Sequence, residues 1–292
     1  MATVTLIYAY WPNQPQGISW CDLPWALRDA GLPAELTAAG HEVIETMLMS
    51  ESAFPDELPS GFELAAEIAD QVREAQAKGE FPVVLCGSCA VAAIGTVAGL
   101  GANTGVAWFD AHPDLMTPET TTSGLFEGMA LACAGGAAWR SMCVEHAGLT
   151  PVRWADVVLV GARDIEQPEA DIIAQNAIPV IGRGESDVIV DRLNASARTY
   201  VHLDMDVHDP SSVPARHFPV AGGLKAGDVR ALLQAVPRLA ALSVTGLDPS
   251  ASDGKTAEQV AIAHIIAAAE VFATGRDAVA ASASEPPRAP NP

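Results

Sequence analysis

Basic residues are scarce in this chain. Lysine and arginine together number 16 against 36 aspartates and glutamates, a formal charge of −20. That balance argues against nucleic acid and anionic membrane as partners, since both are held through cationic patches. It is compatible with a cationic substrate, although solvation of the surface accounts for most of the acids. Cysteine is sparse too, with five residues at 21, 86, 89, 133 and 143. An odd number in a large chain, with no signal-peptide pattern ahead of the first strand, points to a reducing cytoplasm and no required disulfide. No apolar stretch reads as a membrane span once its glycines are considered. A Gly-rich phosphate loop and an internal repeat are also lacking.

What the chain has is apolar bulk. Its 292 residues, 49% of them hydrophobic, can bury a large core, and one α/β domain over 1–277 is the simplest count. From about residue 278 the sequence is Ala, Ser and Pro without periodicity, so a disordered tail is expected over 278–292. Strand patterns at 3–10, 81–86, 105–109, 157–161, 178–181, 199–203 and 242–247 alternate with helical patterns. The helical ones fall at 62–78, 89–100, 125–134, 168–176, 185–195, 225–236 and 256–274. Residues 41–51 fit strand or helix, and 55–61 read as a turn. The segment 11–31 carries three tryptophans and three prolines. It reads as a loop and short helix, either a plug on the core or a wall of a pocket or subunit contact. The alternation predicts a parallel sheet with helices on both faces.

Two acidic stretches interrupt this pattern at strand ends. The apolar run 105–109 stops at Asp110, followed by His112 and Asp114 at alternate positions. The run 199–203 stops at Asp204 and Asp206. Each could be a capped strand end with solvated carboxylates. Clustered carboxylates raise one another's pKa, however, unless a cation lies among them. Brought together at one sheet edge, they form a carboxylate-rich set with one histidine. Such ligands suit Mn²⁺, Zn²⁺, Fe²⁺ or Co²⁺, and the carboxylate excess favours Mn²⁺. Two ions roughly 3.5–4 Å apart could share bridging carboxylates and activate one hydroxide. Cys89 sits where the strand 81–86 hands over to a helix, at the same edge. Two readings stand for it, a metal-bound thiolate or a small buried hydrophobe.

These segments resemble the arginase/agmatinase family of ureohydrolases. The family's DAHxD matches Asp110, Ala111, His112 and Asp114, and the TPxTTxSG stretch matches 117–124. DxDxxDP matches Asp204, Asp206, Asp209 and Pro210. The GxRD strand end matches Gly161, Arg163 and Asp164, and a Gly-Gly-Leu matches Gly222, Gly223 and Leu224. The resemblance implies a three-layer α/β/α sandwich around a mostly parallel, eight-stranded sheet. It implies two Mn²⁺ per chain and hydrolysis of a guanidino C–N bond by a metal-bridging hydroxide. Asp110 and Asp204 would bridge the ions, and Asp114 would carry the proton. The partner is then a small cationic guanidino substrate, with self-association left open.

The chain departs from the family at the pocket. The family's first histidine ligand falls on Cys89, which the resemblance makes a ligand of the ion also held by Asp114. That exchange, with the PETT run at 118–121, is similar to the Nω-hydroxy-L-arginine hydrolases of D-cycloserine biosynthesis. The proton-shuttling histidine falls on Glu127, which could shuttle in its place. The guanidinium-binding glutamate falls on Gly246, with Asp248 two positions on. The asparagine that helps hold the amino acid's carboxylate falls on Met116, whereas Ser123 is kept. Met116, Ser123, Glu166 and Asp248 are the expected substrate-facing residues. The expected activity is amidinohydrolysis of a modified arginine such as Nω-hydroxy-L-arginine. The alternatives are the same chemistry on a larger guanidino or peptidyl-arginine substrate, and a non-catalytic metal-binding or assembly protein.

Overall fold

The structure is a computed structural model that describes residues 1–13, 20–50, 56–214, 218–251 and 256–284, the last nine as backbone only. Eight strands form one sheet: β1 (Thr3–Tyr10), β2 (Glu42–Met49), β3 (Phe81–Cys86), β4 (Thr104–Phe109), β5 (Val157–Val160), β6 (Val180–Ile181), β7 (Arg198–Asp204) and β8 (Leu239–Thr245). Their order is β2-β1-β3-β8-β7-β4-β5-β6, and every pairing is parallel. Central strands such as β3, FPVVLC, are apolar throughout because both of their faces are covered. Alternate side chains serve opposite layers. Phe81, Val83 and Leu85 join one core cluster, and Val84 and Cys86 join the other.

The helices α3 (Glu57–Lys78), α4 (Cys89–Leu100), α5 (Ala130–Ala134) and α6 (Gln167–Gln175) cover one face. The helices α1 (Leu23–Asp29), α2 (Leu32–Ala38), α7 (Ser186–Leu193), α8 (Ala226–Gln234) and α9 (Thr256–Ser284) cover the other. This is the expected α/β/α sandwich. The most deeply set helix, α4, is buried at every position. Two glycines let it approach α3: a Cβ on Gly95 would meet Ile68 Cβ at 2.6 Å, and one on Gly99 would meet Val72 Cβ at 2.6 Å. The small-residue sequence CAVAAIGTVAGL is thus a packing surface, which fixes where its N-terminus, Cys89, stands.

Several elements differ from the sequence reading. The ambiguous stretch around residue 45 is an edge strand, β2, paired with β1 over its whole length. The expected turn at 55–61 is, from Glu57 onward, the first part of α3. Helix α2 has no clear helical signal in the sequence because Pro33 interrupts it, yet a proline in the first helical turn costs no hydrogen bond. By length and apolar composition the Thr256–Gly275 part of α9 could cross a membrane, but most of it is buried within the fold. It packs on α8 and β8 as a core helix. The helix continues to Ser284, into the stretch expected to be disordered, and 285–292 lie outside the described residues.

The consequence for function is positional. The strands β3, β8, β7 and β4 are consecutive neighbours in the sheet. Their C-terminal ends deliver Cys89, Gly246, Asp204 and Asp110 to one edge, where open α/β sheets place their ligands.

Candidate metal centre

The loop after β4 is wired from its first residue. The Asp110 N–H still donates to Val160 O at 3.1 Å, continuing the sheet. Its carboxylate turns back to accept the His112 N–H at 2.7 Å. Ala111 N–H donates to Asp206 Oδ1 at 2.9 Å, so the two acidic loops are tied directly. His112 Nδ1 lies 3.0 Å from Asp206 Oδ2 and 3.3 Å from Asp110 Oδ1. Asp114 adopts a positive φ of 51°, and its carbonyl accepts from Ala132 N–H at 3.0 Å. The next residue, Leu115, donates to Glu169 Oε1 at 3.1 Å, and Glu169 Oε2 accepts the Glu166 N–H at 3.0 Å. Glu169 thereby clamps the metal loop to the start of α6.

The second loop is held by Arg163. Its guanidinium donates to six carbonyls, those of Gly161, Asp206, Val207, His208, Val220 and Ala221. Within the loop, Asp206 N–H donates to Asp204 Oδ1 at 2.8 Å. Cys89 enters from the opposite side as the first residue of α4, capped by Ser88 Oγ, which accepts Val91 N–H at 3.1 Å. Its sulfur is 3.2 Å from Asp204 Oδ2 and 3.4 Å from Thr245 Oγ1.

Among the described residues, two groups of side chains converge closely enough to hold a metal ion: Cys89, Asp110, Asp114 and His202, and Asp110, His112 and Asp206. Asp110 belongs to both. The electrostatics fit a cationic occupant. Burial, then neighbouring carboxylates, push Asp110 and Asp114 well above the usual range. Burial and the Asp206 charge push Asp204 up to about 8. Burial also opposes charge on Asp206, but the hydrogen bond and charge of His112 outweigh it and hold that carboxyl low. Burial would lower His112, but Asp110 and Asp206 carry it up to about 12. Burial, reinforced by Asp204, raises the Cys89 thiol well above normal. So much buried negative charge favours protons or metal ions, and the mix of carboxylate, imidazole and thiolate suits first-row divalent metals.

Above these groups lies a cavity of about 200 Å³. Every site residue predicted from sequence lines it except Asp248, namely Cys89, Asp110, His112, Asp114, Met116, Ser123, Glu127, Glu166, Asp204 and Asp206. Asp248 is buried and is not among the lining residues, and its Oδ1 accepts from Ser250 N–H at 2.9 Å and Ser250 Oγ at 2.6 Å. The structure adds His202, stacked on Trp108 with ring centroids 3.7 Å apart and kept neutral by burial, its pKa lowered to about 3. Its signal was a histidine inside an apolar strand, YVHLD, which reads as easily as a satisfied core residue. It adds Trp20 and Phe218 on the cavity wall, with ring centroids 6.3 Å apart. They are distant in sequence, and no local pattern pairs them.

Fold and site together define the ureohydrolase class, metal-binding α/β proteins whose acidic ligands come from neighbouring strand ends. The chain belongs to the arginase family, whose signature matches residues 32–270. It is similar to the N(omega)-hydroxy-L-arginine amidinohydrolase of Streptomyces lavendulae, 32% identical over 248 residues, covering 83% of this chain and 86% of that protein. The arginase of Brevibacillus brevis is 31% identical over 229 residues, covering 69% and 74% respectively. Among solved structures, Bacillus subtilis arginase superposes with a TM-score of 0.83 at 26% identity, covering 91% of this chain and 98% of that one.

Proposed function

We propose that this protein is a dinuclear amidinohydrolase that cleaves a guanidino C–N bond of a modified arginine, with Nω-hydroxy-L-arginine as the leading candidate. The observation that carries this reading is Cys89 among the metal-binding side chains, where most of the family has histidine. The similarity to the Streptomyces lavendulae amidinohydrolase points the same way. Cys89, Asp110, His112, Asp114, Asp204 and Asp206 would hold two Mn²⁺ ions. When bound, the ions supply Lewis-acid activation of water and of the amidino group.

The chain's own residues do the rest. Asp114 is held by its strained backbone and by Ala132 in a buried position on the cavity wall, as a proton acceptor for the attacking water. Glu127, buried and raised to about 7 chiefly by burial, is poised to exchange a proton with the leaving amine near neutral pH. The acidic wall favours a cationic substrate over a neutral one.

A second reading, a larger guanidino or peptidyl-arginine substrate, draws on the cavity wall. Met116 offers no donor for a free carboxylate, and Trp20 and the half-exposed Phe218 add apolar surface suited to a longer chain. One experiment separates the readings. The Mn²⁺-loaded protein is incubated with L-arginine, Nω-hydroxy-L-arginine, agmatine and an arginine-containing peptide, and urea or hydroxyurea is followed by mass. Hydroxyurea from the second substrate alone supports the first reading. Turnover of only agmatine or the peptide supports the second. No turnover with both metals bound removes the guanidine substrate and favours a non-catalytic metal protein or a C–N substrate outside the guanidine class.

A further inference from the structure

A guanidinium in the cavity needs a counter-anion that the metal ions have not already claimed. The wall beside Asp204 cannot supply one. Gly246 has a φ of +67°, and a Cβ built there would lie 1.8 Å from Asp204 Oδ1, so no side chain fits. Asp248 does not reach the cavity, and Glu169 already accepts two backbone N–H groups. Asp164 and Glu166 line it from exposed positions, where water screens their charge.

Glu127 is different. It comes from the 3₁₀ turn ahead of α5, lines the same cavity and is only 8% exposed. One oxygen is committed: Oε2 accepts from Ser88 Oγ at 2.9 Å and from Ala90 N–H at 3.3 Å. Because Ser88 Oγ also caps α4, this carboxylate is fixed to the helix that carries Cys89. The other oxygen, Oε1, is buried with no hydrogen-bond partner among the described residues. A buried carboxylate oxygen without a donor is costly, and on a residue that lines a cavity a small side-chain adjustment would let a ligand supply the donor. We propose that Glu127 is the guanidinium anchor of this pocket: Oε1 accepts an N–H from the cationic guanidino group, and the anchoring anion stands on the α4–α5 wall rather than at the end of β8. The inference rests on the amidinohydrolase reading for its substrate class and assigns Glu127 a binding role distinct from proton transfer.

The test is binding, measured by calorimetry on the Mn²⁺-loaded protein with a matched pair of probes, n-propylguanidine and n-propylurea. The two share size and shape and differ in charge. The wild type should prefer the guanidinium by about tenfold or more, the scale of one charge-assisted hydrogen bond. Glu127→Gln keeps the shape but not the charge and should abolish the preference. Glu127→His, which places the family's residue there, should abolish it too and covers misfolding of the first variant. Both are read alongside Tm and metal content. A preference that survives in either folded, metal-loaded variant overturns the proposal, and so does a wild type that fails to discriminate. A wild type that discriminates through Glu127 yet turns over no guanidine would sink the amidinohydrolase reading and leave the anchor standing.

Discussion

The Cys89 sulfur, at the start of the helix α4 that follows β3, lies 3.2 Å from Asp204 Oδ2 at the end of β7, a contact across the end of the intervening strand β8. Thr245 of β8 closes the triangle, its Oγ1 3.4 Å from the sulfur and 3.1 Å from the same carboxylate oxygen. A thiol in this position holds its proton because burial and Asp204 both oppose the thiolate. A divalent cation reverses that preference, since coordination deprotonates a thiol outright.

Replacing the sulfur should therefore cost one metal and not two. Cys89→Ala is expected to bind close to one equivalent of Mn²⁺ under conditions where the wild type binds two. Cys89→His should retain both. Elemental analysis gives the count. The Co²⁺-substituted wild type should also show a thiolate-to-metal charge-transfer band that Cys89→Ala lacks. Two tightly held equivalents in Cys89→Ala, or no such band in the wild type, would remove Cys89 from the ligand set.

The same charge cluster predicts how chelator-treated protein responds to pH. Asp204 and Glu127 have folded-state pKa values of about 8 and about 7, above their ordinary carboxylate values, and His112 is raised to about 12. In each case the folded state binds protons more tightly than the unfolded one. That contribution to stability is lost as pH rises from the unfolded towards the folded pKa. The lowered histidines His202 and His264 act in the opposite sense, but below about pH 6.5, the ordinary histidine value. Between pH 6.5 and 8 the apo protein should therefore lose stability, with Tm falling by roughly 2–4 °C for each kcal/mol. Saturating Mn²⁺ should flatten the dependence. A Tm for the apo protein that stays constant or rises across this window contradicts the account.

Arg163 offers a test of loop positioning. Its guanidinium meets six carbonyls around the Asp206 loop, a geometry that lysine, with a single ammonium, cannot reproduce. Arg163→Lys should leave the sheet intact and weaken metal binding by roughly 10–100-fold, the usual effect of losing an outer support. Metal titration by calorimetry measures this directly. Unchanged affinity would mean that the loop holds its shape without Arg163.

How much of this was legible in the sequence depended on range. Strands such as 81–86 and helix 89–100 were readable because burial on both faces leaves continuous apolar runs bounded by turns. The paired acids were readable because a charge that ends an apolar run has few structural uses. Pro33 hid α2, and β2 was ambiguous because an edge strand with one bare side shows no clean alternation. The features of the site that the sequence does not show all depend on long-range contacts. Asp248 is two residues from Gly246 yet does not line the cavity as Gly246 does, a matter of how the chain turns after β8. His202 joins the metal-binding side chains only through its place beneath Asp110, 3.9 Å from Oδ2. The partnership of Ser88 with Glu127 needs the α4–α5 contact to exist first.

Gly246 makes the sharpest prediction because two constraints meet there. Its φ of +67° is unfavourable for any residue with a side chain, and a Cβ would fall 1.8 Å from Asp204 Oδ1. The nearest atoms belong to a proposed ligand carboxylate that is itself held by Thr245 and by the Asp206 N–H, so it cannot move aside without breaking the cluster. Gly246→Ala should lower stability by about 2–4 kcal/mol, combining overpacking with backbone strain. It should also lose metal, because Asp204 is the group displaced. Gly246→Glu, which writes back the family's guanidinium-binding residue, should be worse still and should not confer hydrolysis of L-arginine. Thermal denaturation, metal content and urea release measure the three effects. A Gly246→Glu protein with wild-type Tm, two bound metals and new arginase activity would show that the wall at β8 can open, and that the absence of a glutamate there is not imposed by the backbone.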